Sequence, residues 1–167
     1  MIKHLLFLSC LLVAACPNAK ETELTSYINV PNGWKTEVIP FPLDYAPDIT
    51  VTGKEELVFS PGMYKSDNEE FFSFAFSWLI TDKKQKINKV AMEYYLKLYY
   101  EGLYNAVAKQ KPKPIDVYMT KVKDKNWQYS GQIKWVEPFV SRKPQLLRFK
   151  ALTIECEKER RWYFVAS

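Results

Sequence analysis

Residues 87–110, INKVAMEYYLKLYYEGLYNAVAKQ, constrain the fold more than any other part of the chain, together with the alternating FFSFAFSWLI of residues 71–80 just before them. Lys86, Lys89, Glu93, Lys97, Glu101, Asn105 and Lys109 recur every three or four residues. That spacing predicts one solvated stripe on an α-helix, with Glu93–Lys97 and Lys97–Glu101 placed to pair. Ala91, Tyr95, Leu98, Gly102 and Ala106 fall on the opposite side, so the buried face is expected to be small at its centre. Gly102 there admits the close approach of another backbone. Residues 71–80 separate by parity: Phe72, Phe74, Phe76 and Trp78 share one face, and Phe71, Ser73, Ala75, Ser77 and Leu79 the other. The Ser-Ala-Ser face complements a small helix face and is expected to pack on it. The four aromatic residues are then left to meet a second layer or to line a pocket.

The remaining signals are mostly β. Residues 24–30 read as a first strand, ended by the turn Pro31-Asn32-Gly33, and residues 34–39 as a second, stopped by Pro40 and Pro42. Residues 49–52 and 55–59 alternate around Gly53-Lys54 as in a tight hairpin, closed by Ser60-Pro61-Gly62. After the helix, whose end is set by the prolines of KQKPKP at residues 109–114, residues 115–123 and 127–137 flank a polar turn at Asp124–Asn126. Residues 146–156 and 161–166 flank another turn. Two closing hairpins, several earlier strands and one long helix predict an α+β domain over residues 23–167. Its largely antiparallel, curved sheet packs on a single helix at about 87–110, as in hot-dog-like or cystatin-like arrangements.

The N-terminus is of a different kind. Residues 1–15, MIKHLLFLSCLLVAA, begin with Lys3 and His4 and continue as an apolar run too short to span a bilayer, which is the pattern of a signal peptide. The run closes on Leu12-Val13-Ala14-Ala15-Cys16, which resembles the lipobox of bacterial lipoprotein precursors. The resemblance implies cleavage before Cys16 and acylation of that residue, with residues 16–22 as a short tether. The protein would then be exported and held on the cell-envelope membrane by its N-terminal lipid. Cleavage after Ala15 with secretion and no lipid is the alternative.

Removal of residues 1–15 takes away the only histidine, so a mature chain has no imidazole for a Ser-His-Asp or Cys-His relay or for a catalytic zinc. Cys16 and Cys156 remain. With Cys16 acylated, Cys156 has no partner and reads as a structural thiol at a strand end. Glu55 and Glu56, adjacent on a strand, point to opposite faces and do not make an acid–base pair. Asp44, Asp48, Asp67, Glu69 and Glu70 have no calcium-loop spacing and read as solvated loop charges. The sequence therefore offers no catalytic residues, metal ligands or cofactor motif.

Three segments, residues 34–43 (WKTEVIPFPL), 55–63 (EELVFSPGM) and 99–103 (YYEGL), resemble an uncharacterised group of exported bacterial proteins, a likeness that brings no activity with it. Without Lys3, 23 of the 24 basic residues stand against 19 acidic ones. Lysines cluster near the helix ends and the following hairpin, at Lys83, Lys84, Lys86, Lys109, Lys111, Lys113, Lys121, Lys123 and Lys125. Export makes nucleic acid a poor partner for them. An anionic lipid, a glycan or an envelope protein is the better match, beside the plain reading of a solubilising surface. Tyr100 and Tyr104 fall near Lys97 in the charged stripe of the helical wheel. Two readings follow: a loop around residues 138–144 buries them, or they form an exposed aromatic binding patch. The favoured expectation for function is a non-enzymatic binding or structural module of the envelope. The alternative is a carboxylate-based hydrolase or hot-dog-like enzyme whose pocket is lined by Phe72, Phe74, Phe76 and Trp78.

Overall fold

The computed structural model describes residues 28–82, 87–108, 114–156 and 161–166. Within them the elements run β1 (Lys35–Phe41), β2 (Gly53–Phe59), β3 (Phe74–Ile80), α1 (Lys89–Ala108), β4 (Asp116–Lys121), β5 (Tyr129–Val136), β6 (Pro144–Cys156) and β7 (Arg161–Ala166). The strands form one antiparallel sheet in the order β1-β2-β3-β7-β6-β5-β4, curved around the helix and unclosed, which makes the chain an α+β domain as its element order predicts. Two local meanders, β1-β2-β3 and β4-β5-β6, are joined by β7, the last strand in sequence.

The helix begins where Asn88 caps it: its side-chain oxygen accepts the Ala91 amide at 3.0 Å and its carbonyl the Met92 amide at 3.0 Å. Its buried residues are Met92, Tyr95, Leu96, Tyr99, Tyr100, Gly102 and Tyr104, so the buried face is large and aromatic, not small. Ala106 is exposed, and Ala91 and Leu98 are half-buried. The expected small-on-small seam is therefore overturned. Phe76 stacks on Tyr99 with ring centroids 6.0 Å apart, and Trp78 lies 5.8 Å from the same ring. The aromatic parity of β3, not Ser73, Ala75 and Ser77, faces α1. The space between a curved sheet and a helix is filled to crystal-like density by large side chains, and small faces would leave it empty. Gly102 does admit a close backbone, but a different one: a Cβ there would stand 2.1 Å from the Tyr45 carbonyl oxygen, in the loop between β1 and β2.

Other expectations shift in the same direction, toward long-range pairing. Residues 28–30 are not strand, and residues 24–27 lie outside the described residues. No hairpin forms between residues 49–52 and 55–59; β2 instead pairs β1 on one side and β3 on the other. The two closing hairpins are present, β4 with β5 and β6 with β7. In the turn between β4 and β5, Asp124 accepts the Asn126 amide at 2.8 Å and pairs with Lys150 at 3.3 Å. On α1, Lys97–Glu101 is a loose pair at 3.9 Å, whereas Glu93 turns to Lys89 at 2.8 Å and accepts the Met119 amide at 2.7 Å. That bond covers part of the outer edge of β4 with the helix, which protects an edge strand from pairing elsewhere.

Candidate functional site

The pairing registers create an opening in the sheet. β7 lies between β3 and β6, and its Ala166 stands opposite Phe76 on one side and Ala151 on the other. β3 continues beyond that point to Phe74, and β6 extends back through Lys150 to Pro144, where it pairs with β5. Strands that flank a common neighbour lie about 9–10 Å apart, and the described residues of β7 reach Ala166, short of this part of β3 and β6.

A cavity of about 200 Å³ occupies this slit. Phe72, Ser73 and Phe74 form one wall and Leu147, Arg148 and Phe149 the other, over a floor of Phe76, Leu96, Tyr100 and Ile133, with Trp34 at the rim. Several local features shape it. Gly131 stands opposite Phe149 in register and leaves the space that the Phe149 ring fills; a Cβ on Gly131 would come within 2.2 Å of that ring. Phe72 adopts a positive φ of 56°, a conformation that costs a non-glycine residue about 1–3 kcal/mol, and its amide is tied to the Met63 carbonyl at 3.0 Å. Its ring is fixed against Trp135 at 5.1 Å. Of the four predicted pocket residues, Phe72, Phe74 and Phe76 line the cavity. Trp78 does not; it is buried deeper, beside Glu55. The sequence reading missed the opposite wall. Leu147 and Phe149 share one strand parity and alternate with Arg148, a signal that becomes informative only once the register with β5 is known.

Glu55 is the second chemical feature. It is fully buried, with Trp78 Nε1 donating to one oxygen at 2.9 Å and the Tyr45 hydroxyl to the other at 3.1 Å. Burial pushes its carboxyl up to about 7, with the charge of Glu37 adding, while hydrogen bonds from Trp78, Tyr45 and Tyr99 act the other way. Burial likewise holds the Tyr45, Tyr99 and Tyr100 hydroxyls above their ordinary range, with the Glu55 charge adding. Glu56 points to the other sheet face and pairs with Lys54 at 2.7 Å, so the two carboxyls are separated as expected. Glu55 does not line the slit. Glu137, also buried, accepts the amides of Phe139, Val140 and Ser141 and the Ser141 hydroxyl. Burial opposes its ionisation, but those donors outweigh it and hold the carboxyl below its ordinary value. This is a loop clamp and leaves no free chemical group.

Tyr100 and Tyr104 are not an exposed pair: they are 2% and 6% accessible. Tyr100 lies under Trp135 of β5 at 4.8 Å, and Tyr104 borders a second cleft with Pro138 and Arg142, so β5 and the following loop cover this side of the helix. Lys97 remains exposed, while Tyr100 and Tyr104 are buried. Among the described residues the exposed aromatics are instead Tyr64, Tyr94 and Tyr118. Asp44, Asp48, Asp67, Glu69 and Glu70 are exposed loop residues. No group of three His, Cys, Asp or Glu among the described residues is arranged to hold a metal. No helix of the described residues is long and apolar enough to cross a membrane. Residues 12–16, which carry the expected lipid attachment at Cys16, lie outside the described residues, and Cys156 ends β6. Comparison with protein-family models, curated proteins and solved structures finds no match.

Proposed function

We propose that this chain is a lipid-anchored binding module of the bacterial cell envelope that receives an apolar group in the slit between β3 and β6. The observation that carries the reading is the cavity of about 200 Å³, walled by Phe72, Phe74, Leu147 and Phe149 and open at its rim. Cavities of about 150 Å³ lined by apolar side chains accept benzene, so this one suits a single ring or a short branched aliphatic group, not a whole drug-sized ligand. The Leu12–Cys16 lipobox supports the anchor. A carboxylate-based hydrolase would need a carboxyl opening onto the cavity, and Glu55 is sealed away from it.

Native mass spectrometry of the full chain, extracted from its own membranes, tests the binding reading. A bound species is expected on the wild type and not on Leu147→Trp, whose indole fills the slit; equal recovery from both would reject the slit as its site. The anchor is tested separately with radiolabelled fatty acid, which should enter the wild type and not Cys16→Ser.

A further inference from the structure

We infer that Glu55 and Tyr45 form a proton-operated latch, which holds residues 42–48 of the β1–β2 loop against α1 while the carboxyl is neutral and releases them when it ionises. The latch needs neither the slit nor the anchor. Its basis is a fully buried carboxyl without a counter-charge. Trp78 Nε1 at 2.9 Å, the Tyr45 hydroxyl at 3.1 Å and Tyr99 are neutral donors. Around them β1 contributes Ile39, opposite Glu55 in register, and the acidic Glu37, while α1 contributes Tyr99 and Tyr100. Lys54 pairs with Glu56 on the other face of β2, and no basic side chain among the described residues pairs with Glu55. The neutral form fits this setting. Trp78 Nε1 can only donate, so it holds Oε1; the carboxyl proton then sits on Oε2, facing a Tyr45 hydroxyl able to accept it. The ionised form keeps its donors but lacks a cation or water, and burial raises the carboxyl to about 7.

Of the three donors that seal the carboxyl, Tyr45 is the one placed to move. Trp78 and Tyr99 are fixed in the core by β3 and α1. Tyr45 is half-buried in a loop where Pro42, Asp44, Pro47 and Asp48 are exposed. The loop is closed by two local bonds, from the Ala46 amide to the Leu43 carbonyl and from the Ile49 amide to the Ala46 carbonyl, each 3.0 Å. Its seat on the helix is the edge-on contact of Tyr45 with Tyr99 at 5.4 Å and the close approach of the Tyr45 carbonyl to Gly102. Leu43 and Ala46, buried in the same loop, keep it closed while the carboxyl is neutral. Outward movement of Tyr45 brings water to the carboxylate and uncovers Tyr99 and Gly102. The open form then has a carboxyl near its ordinary 4.5, whereas the closed form holds the proton up to about 7. The opening equilibrium therefore grows by up to about tenfold per pH unit between those two values and is level on either side of them.

Amide exchange of the full chain from about pH 4.5 to about pH 8, followed by mass spectrometry and expressed as protection relative to an unstructured peptide, reads the opening. Fragments covering residues 43–49 should lose protection by up to about tenfold per pH unit as pH rises from 4.5 to 7 and then level off, staying less protected throughout than β5 and β6. Glu55→Gln should remove that slope. The wild type alone supplies a second readout, because Trp78 Nε1 donates directly to the carboxyl. Its indole proton resonance should titrate with a midpoint near 7. An equal slope in wild type and Glu55→Gln would overturn the latch. So would protection at residues 43–49 as high as in β5 and β6, which would mean that the loop opens only when the whole molecule unfolds. An indole resonance that stays constant over the same pH range would overturn it without recourse to any variant.

Discussion

A carboxyl that titrates near neutrality inside an apolar core destabilises the fold whenever it ionises, and Glu55 is such a group. Its folded value is raised to about 7 from an ordinary 4.5, so the folded state holds the proton more tightly than the unfolded chain does. Its contribution is therefore most favourable below pH 4.5 and declines as pH rises toward 7, by about 3 kcal/mol across that window at about 1.4 kcal/mol per pH unit. Glu55→Gln removes the titration and keeps an oxygen for the Trp78 donor. The variant should gain stability relative to the wild type between pH 4.5 and 7, and denaturant unfolding at several pH values would read this directly; parallel curves for the two proteins would assign the burial no energetic weight. Glu137 titrates in the opposite sense, its stabilising effect being lost as pH falls through its lowered value, so the two windows do not overlap. The separation of Glu55 from Glu56 was legible in the sequence because strand parity is fixed. The burial of Glu55 was not. It depends on Trp78, opposite Glu55 in the pairing of β2 with β3, and on Tyr45 in the β1–β2 loop, donors that only the folded chain brings to the carboxyl.

At the scale of elements, the helix and the closing hairpins could be read because their signals are local: a period near 3.6, prolines after the end, and Asp124 in its turn. The face of α1 that packs could not. Charged residues with long stems tolerate partial burial, so Lys89 and Glu93 marked a flank of the helix and not its solvated centre, which drew Tyr100 and Tyr104 onto the wrong side of the wheel. Gly102 was correctly singled out as a close-approach site, with the wrong neighbour. Because that neighbour is the Tyr45 backbone, it cannot swing aside as a side chain would, and Gly102→Ala should lower stability by on the order of 1–3 kcal/mol in urea unfolding. An unchanged midpoint would show that the β1–β2 loop shifts freely. Glu137→Ala leaves the Phe139, Val140 and Ser141 amides without their acceptor and should cost on the order of 1–3 kcal/mol, with faster amide exchange confined to that loop if the clamp acts locally.

The whole molecule depends on its last strand. Hydrophobic alternation predicts that β7 exists and pairs with β6, its neighbour in sequence, yet no local signal tells that its other edge pairs with β3, where Trp78 stands opposite Phe164. That pairing joins the two meanders into one sheet. Contacts between residues so far apart in sequence carry a loop-closure cost that local hairpins avoid. Phe164→Pro removes a ladder amide from a central strand and should cost about 3 kcal/mol or more. A chain ending at residue 160 lacks β7 altogether and should lose its cooperative unfolding transition and its near-ultraviolet dichroism, because β3 and β6 then face each other across a gap that no side chain fills. A truncated chain that retained both would mean that α1, packed on the floor of the two meanders, holds them together without β7.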